Sequence, residues 1–299
     1  MKEKVLITGA SGRIAQKVGH LLSENGYEVV YLTTNKQFLS NTRFYWDLEK
    51  EYINPDALYD VQHIIHLAGL SIAKRWSKKN KKIMFDSRIK TSRLIFETCC
   101  KLNIKPKTFL STSAIGYYGF NNTGVKKETD VSGTDWLAKL CVAWEKEADN
   151  FKLINTRVIK LRLGVVLDKK NEIIKKTFLS YQLGFGVVFG DGRQPFPWIH
   201  IEDVIQCIFH IIKNKKIQGI FNLSSPENTS NFEFVNMFKT LKYKRSILIY
   251  IPKKILYWIF GEKTKLFLNK VSLSTNKIQT TGFEWKYPTL KMTLKELLN

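Results

Sequence analysis

Residues 5–15 read VLITGASGRIA, and the organisation of the chain follows from how that stretch is parsed. Val5-Leu6-Ile7 is a short apolar run of strand character. From Ile14 onward the apolar residues Ile14, Val18, Leu21 and Leu22 recur at helical spacing until Gly26 stops them, and a second strand is predicted over 28–32. Gly9, Gly12 and Ala15 stand between strand and helix at G-x-x-G-x-x-G/A spacing. Gly9 permits a tight turn, Gly12 lets backbone amides approach a pyrophosphate, and the small Ala15 lets the helix pack close to the sheet. Ser11, Arg13 and Ile14 complete the candidate loop. A glycine triplet is weak evidence by itself; strand before, helix after and second strand at this distance make it a nucleotide-binding signature.

Working outward, strands are predicted over 63–67, 108–111 and 158–163, with helices over 81–102 and 135–151 between them. Such alternation means a parallel sheet covered on both faces. Beyond residue 163 the pattern loosens into a glycine-rich segment over 184–192. It returns over 198–212, in a short strand at 219–223, and in two helices at 231–241 and 253–260, the last preceded by Pro252. The expected class is α/β: a Rossmann-like doubly wound parallel sheet with a smaller, interleaved C-terminal substrate lobe. The expected domains are 1–165, with 196–224 returning to it, and a lobe made of 166–195 and 225–299.

With 299 residues, 44% of them hydrophobic, the chain can bury a large core, which excludes a disordered protein. The formal charge of +22 comes mainly from dispersed lysines. No basic helix with interleaved aromatics, no zinc-finger spacing and no RNP-like strand accompanies it, so no nucleic-acid partner is expected. No run reaches the roughly 20 apolar residues of a membrane-crossing helix, and no signal-peptide pattern opens the chain, so no membrane partner is expected and the expected location is cytoplasmic. Cys99, Cys100, Cys141 and Cys207 show neither disulfide nor metal spacing, and no metal site is expected.

Cofactor choice turns on the end of the second strand, where an acidic side chain would accept from the ribose 2′-hydroxyl of NAD. Thr33, Thr34, Asn35 and Lys36 stand there instead. Arg13 and Lys36 are placed to meet a 2′-phosphate, which favours NADP(H) over NAD(H); the plain alternative is that both cations face water.

TGASGRIA, Trp46-Asp47-Leu48, His66-Leu67-Ala68-Gly69, STSAIGYYG (111–119) and PWIHIEDV (197–204) resemble an extended or atypical short-chain dehydrogenase/reductase. More narrowly, Arg75-Trp76, Asp86-Ser87-Arg88, Trp144-Glu145, RLGVVL (162–167), LGFGVVFGDGRQPFPWIHIED (183–203) and Thr281-Gly282-Phe283 resemble its "epimerase family protein" branch, whose members carry labels such as putative nucleoside-diphosphate-sugar epimerase. The resemblance covers essentially the whole chain. It implies that Asp47 and Leu48 lie by the adenine and that Leu67, Ala68 and Gly69 line the ribose and pyrophosphate. It further implies that Ser87 and Arg88 reach the cofactor from the long helix and that Val165 and Val166 approach the nicotinamide. The branch commonly shows an arginine where this chain has Thr34, which takes one phosphate-binding group away.

Hydride-transferring members of the resembled superfamily use a strand-end serine and a Tyr-x-x-x-Lys pair on the next helix, the lysine lowering the tyrosine pKa. Ser113 fits the serine position, but Leu137 and Cys141 stand where tyrosine and lysine are expected. Tyr117 or Tyr118 is the available acid; the alternative is that Tyr117 stacks by the nicotinamide and Tyr118 packs internally. His200, with Glu202 and Asp203, reads as structural. Arg75, Trp76, Arg193, Gln194 and Trp198 are candidate substrate contacts. Three functions remain: an NADP(H)-dependent oxidoreductase or epimerase acting on a small-molecule substrate as monomer or homodimer, a catalytically impaired NADP(H) sensor, and, on charge alone, a nucleic-acid binder.

Overall fold

The computed structural model describes residues 2–298; Met1 and Asn299, the outer ends of the expected domains, lie outside the described residues. The chain divides into two compact units, each made of three segments. The first comprises Met1–Ala114, Lys139–Arg162 and Ile205–Phe221; the second comprises Ile115–Ala138, Leu163–Val204 and Asn222–Asn299.

An eight-stranded sheet organises the first unit. Its strands include β1 (Lys4–Thr8), β2 (Glu28–Thr33), β3 (Arg43–Asp47), β4 (Tyr52–Ile53), β5 (Val61–His66) and β6 (Thr108–Ala114). Gly219–Leu223 and Arg157–Leu163 come before β6 in the lateral order, which continues β6-β5-β1-β2-β3-β4. β1 pairs parallel with β2 and with β5, β2 with β3, and β5 with β6, while the two-residue β4 runs antiparallel to β3. The expected Rossmann-like sheet is therefore present.

Its strands read as near-continuous apolar runs because both faces are covered: Val5, Leu6 and Ile7 are fully buried, as are Ile64, Ile65, Phe109 and Leu110. Helix α1 (Arg13–Glu24) buries Ala15, Val18, Gly19 and Leu22, one face at helical spacing. Helix α2 (Lys78–Lys101) opens on Ser77, whose hydroxyl accepts from the Asn80 amide. Helix α3 (Trp136–Asp149) follows the third crossover. Winding goes one way from β1 through β2 to β3 and the other way through β5 to β6. The C-terminal ends of β1 and β5 consequently flank the point of reversal, where ligands bind in open α/β sheets.

In the second unit, the glycine-rich stretch is not a loop. Phe185–Phe189 is a strand paired in parallel with Ile247–Ile251, and Gly184, Gly190 and Gly192 bracket it at positive φ. The glycines mark the turns and conceal the strand. Helices α4 (Glu172–Gln182), α6 (Asn231–Leu241) and α7 (Lys253–Phe260) belong to this unit, while most of α5 (Ile201–Lys213) belongs to the first. Val188, Tyr181, Trp198, Phe234 and Phe238 form the core here. α6 begins with a capping box in which Ser230 and Glu233 satisfy each other's backbone amides. No helix among the described residues is long and apolar enough to cross a membrane.

Candidate functional site

The turn after β1 is built for close approach. Gly9 lies at φ +75°, and a Cβ there would stand 3.1 Å from the Leu67 carbonyl oxygen and 3.2 Å from the Ala68 nitrogen. The loop after β1 thus rests directly on the loop after β5. Gly12 donates to the Gly9 carbonyl (2.7 Å) and is the N-cap of α1, with no side chain capping it and no acidic residue in the first turn. A twelve-residue helix entered through glycine, without a side-chain cap, leaves the positive end of its dipole for an anion.

Thr8 locks the two loops together. Its Oγ1 accepts from the amides of Leu67 and Ala68, each at 3.0 Å, so its own proton goes to His66 Nδ1 at 2.9 Å. His66 then carries its proton on Nε2 and donates to Thr91 Oγ1 (3.2 Å), whose hydroxyl donates to the carbonyls of Ser87 and Arg88. Full burial, with the Arg88 charge adding to it, pushes the His66 pKa down to about 3. An unfolded-chain histidine titrates near 6.5, so on acidification the unfolded chain takes up this proton first. The stability contributed by the neutral ring is complete above about pH 6.5 and is lost progressively towards pH 3, at up to about 1.4 kcal/mol per pH unit. Denaturant titrations across that window should show a shallower acid-side slope for His66→Gln than for the parent.

Ser87 and Arg88 serve this loop too. Ser87 Oγ accepts from the Leu70 amide (2.9 Å) and donates to the Met84 carbonyl (3.0 Å). Arg88 Nη1 donates to the carbonyls of Leu70 and Met84, and its guanidinium lies 4.9 Å from the Trp144 ring centre. A Cβ on Gly69 would stand 3.0 Å from Arg88 Cζ. The resemblance implied that these two residues reach the cofactor; the geometry has them shaping residues 67–70.

At the end of β2, Thr33 Oγ1 accepts from the Asn35 amide and Asn35 Oδ1 from the Gln37 amide. Lys36 Nζ lies 5.0 Å from the Tyr45 ring centre. The carboxylate of Asp47 is engaged by the Tyr45 hydroxyl (2.8 Å) and by the amides of Glu49 and Lys50. The hydrogen bond from Tyr45 is the main reason that its pKa lies below the usual carboxylate range. Leu48 packs against the core of the first unit.

Ser113 ends in an arrangement that sequence reasoning missed. Its hydroxyl donates to Glu145 Oε1 at 2.7 Å. Arg162 Nε donates to the same oxygen at 2.8 Å and Nη2 to Oε2 at 2.9 Å, a bidentate pair. Ser113, Glu145 and Arg162 are 3%, 6% and 1% exposed. Leu137, Cys141 and Glu145 are all buried and fall at four-residue steps on α3, hence on one face. The face expected to present a tyrosine and a lysine presents a leucine, a thiol and a carboxylate. Burial pushes the Cys141 thiol up to about 12, and it stays protonated.

Burial corrects the readings of Tyr118, Trp198 and Gln194 and leaves the other candidates as they stood. Tyr118 is fully buried, its hydroxyl between Asn222 Oδ1 (2.7 Å) and the Lys127 carbonyl (3.0 Å), which removes it as a substrate acid. Tyr117, half-buried, stands in the 3₁₀ turn that follows β6. Trp198 is fully buried and donates to Thr229 Oγ1, a core residue and not a substrate contact. Gln194 is buried and donates to the carbonyls of Phe189 and Phe267. His200 is buried beside the Tyr287 ring, 3.1 Å from Glu296 Oε2, and burial lowers its pKa. Asp203 holds the amides of Lys286 and Tyr287 and has its pKa raised to about 6 by burial. Val166 pairs with Ile199 between two short parallel strands. Arg75 and Arg193 are exposed, and Trp76 Nε1 donates to the Ile72 carbonyl. No cluster of three or more metal-ligating side chains occurs among the described residues.

Residues 5–224 match the model of the NAD dependent epimerase/dehydratase family. The chain belongs to this family. Among epimerase relatives, it is 29% identical over 304 residues to an "Epimerase family protein" of Staphylococcus aureus (strain MRSA252), covering 99% of each chain. A second, of Staphylococcus saprophyticus, is 28% identical over 306 residues, covering 98% of this chain and 99% of the relative. In structure, the human epimerase family protein SDR39U1, crystallised with NADPH, superposes with a TM-score of 0.85 at 26% identity, over 98% of both chains. UDP-glucose 4-epimerase of Thermotoga maritima gives 0.76 at 20% identity, over 99% of this chain and 100% of the other; that likeness shows the epimerase fold alone.

Proposed function

We propose that this chain is an NADP(H)-dependent oxidoreductase or epimerase acting on a small-molecule substrate, with Ser113 and Tyr117 as its proton-handling groups. The observation that carries it is the clasp of two glycine-permitted loops, at Gly9–Gly12 and Leu67–Gly69, over the uncapped start of α1. Those residues fit a dinucleotide: a side chain at Gly12 would occupy the approach to the helix amides. The bound nicotinamide would supply hydride exchange. Arg13 and Lys36 would meet a 2′-phosphate, and the nearby carboxylate of Asp47 is already engaged by Tyr45 and two backbone amides. The presence of NADPH on the human relative supports the same choice.

Ser113 acts here as a relay. Because its proton points at Glu145, its oxygen lone pairs are left to accept from a substrate hydroxyl. A proton arriving at Oγ is balanced by departure of the serine proton to the Glu145 carboxylate, which Arg162 keeps in place. Glu145 thus stands in for the missing Tyr-x-x-x-Lys pair as proton acceptor, and Tyr117 remains the residue able to return a proton to substrate.

Calorimetric titration of cofactor-stripped protein with NADPH, NADP, NADH and NAD tests the reading. Preference for the phosphorylated pair is expected, with Lys36→Ala reducing that preference about tenfold. If none of the four binds, the reading fails. Once a turned-over substrate emerges from a panel of carbonyl compounds and nucleotide sugars, Ser113→Ala and Glu145→Gln should each lower kcat by about 10²–10⁴-fold while leaving cofactor affinity unchanged. Full turnover by Glu145→Gln would remove the relay.

A further inference from the structure

Helix α7 (Lys253–Phe260) presents an apolar surface to solvent. Of its eight residues, KKILYWIF, Leu256 alone is buried. On a helix, Trp258 falls on the side away from Leu256 and is 87% exposed, while Ile255 and Ile259, one turn apart on the adjoining flank, are 48% and 52% exposed. The strand Ile247–Ile251, which feeds into α7 through Pro252, leaves Ile247 63% and Ile249 41% exposed. A soluble helix ordinarily buries its apolar stripe; this one exposes apolar residues alongside its lysines, and such surfaces mark binding sites.

Charge identifies what binds. From Lys242 to Lys265 the sequence holds six lysines and one arginine against a single acidic residue, Glu262. Lys253, Lys254 and Lys265, like Lys244 and Arg245, are exposed. Two copies meeting through this face would bring like charges together, so a second copy of the chain is disfavoured. Protein interfaces are depleted in lysine, whereas a lipid headgroup layer accepts lysine ammonium groups above an apolar stem and concentrates tryptophan and tyrosine at its boundary. Tyr250, Tyr257 and Trp258 all stand in this segment and are exposed. We infer that the face formed by α7 and the strand before it docks on an anionic lipid surface. The helix lies in the headgroup boundary with Ile255, Trp258 and Ile259 inserted and the lysines over lipid phosphates. At about 12 Å it is far too short to span a bilayer of about 30 Å, so the contact is peripheral. From the lack of a crossing helix the sequence led to the expectation of no membrane partner, and exposure in the fold is what reveals this face.

The test is co-sedimentation of the full chain, at low ionic strength, with vesicles of phosphatidylcholine alone and of phosphatidylcholine mixed with phosphatidylserine. The parent should partition onto the mixed vesicles, at least about tenfold more weakly onto neutral ones, and be released by added salt. Trp258→Ser combined with Ile259→Ser should weaken partitioning about tenfold or more, and Lys253→Gln and Lys254→Gln about fivefold each, with thermal midpoints unchanged because these side chains are exposed. Equal partitioning onto both vesicles, or none onto the anionic ones, would overturn the inference. So would a Trp258→Ser, Ile259→Ser variant that sediments like the parent, or parent self-association that this variant abolishes, which would make a second copy the occupant.

Discussion

Arg162→Met is expected to destabilise the protein by about 3–5 kcal/mol, measured as a fall in the free energy of unfolding in denaturant. The methionine fills much of the same volume, so packing is not the main cause. The loss comes from Glu145, left as a buried carboxylate without its bidentate partner and with a single serine hydroxyl to solvate it. Such a group has two escapes, protonation or expulsion to water, and the surrounding core of sheet and α3 makes the second costly. A second change, Glu145→Leu, removes the stranded charge and should recover most of the stability, since a buried ion pair is commonly replaceable by apolar side chains of similar volume. A strongly positive coupling in that double-mutant cycle is the expected signature; additivity would mean that the pair does not act as a unit.

The second large effect separates stability from ligand binding. Gly12→Asp should weaken nucleotide affinity on the order of 100-fold or more while moving the unfolding free energy by no more than about 1 kcal/mol. Gly12 sits at φ −75°, ψ 143°, a conformation open to any residue, and occupies an N-cap, where aspartate is among the preferred side chains. The new Cβ would stand 3.0 Å from the Gly9 carbonyl oxygen, a tight fit that offsets part of the capping gain. Toward a pyrophosphate, however, the added carboxylate takes the place of the ligand at the helix amides and repels it. Calorimetry beside thermal melts reads both quantities. Undiminished binding would show that the nucleotide does not use this helix terminus.

What the sequence made legible was the part ruled by local pattern. The glycine turn, α1 and the buried runs of β1, β5 and β6 follow from spacing and composition, and α6 and α7 lie where their periodicity placed them. β3 and β4 went unread because they lie at the sheet's edge, and in RFYWD Trp46 alone is buried. The strand Phe185–Phe189 was hidden because its three flanking glycines looked like loop. The Ser113–Glu145–Arg162 cluster was missed for a different reason: these residues come from three elements, and no sequence spacing relates them. A signal was present nonetheless, since a glutamate one four-residue step beyond Leu137 and Cys141 puts a charge on an otherwise buried face, and a buried charge demands a partner. Tyr118 and Trp198 show the converse failure. Aromatics near a motif invite a catalytic reading, and burial with a satisfied polar atom cancels it.

The interleaving of the two units sets the timetable of the protein's birth. The strand Gly219–Leu223, at the end of the eight-stranded sheet, emerges roughly three to twelve seconds after its neighbour Arg157–Leu163 at ordinary rates of synthesis. Until then the nascent sheet has Arg157–Leu163 as an open flank, with unpaired amides and carbonyls able to recruit a neighbouring chain. A truncation at residue 165 would make that interval permanent. The first half of this chain, expressed alone, should therefore be found with chaperones or in the insoluble fraction and not as a free-standing nucleotide-binding domain.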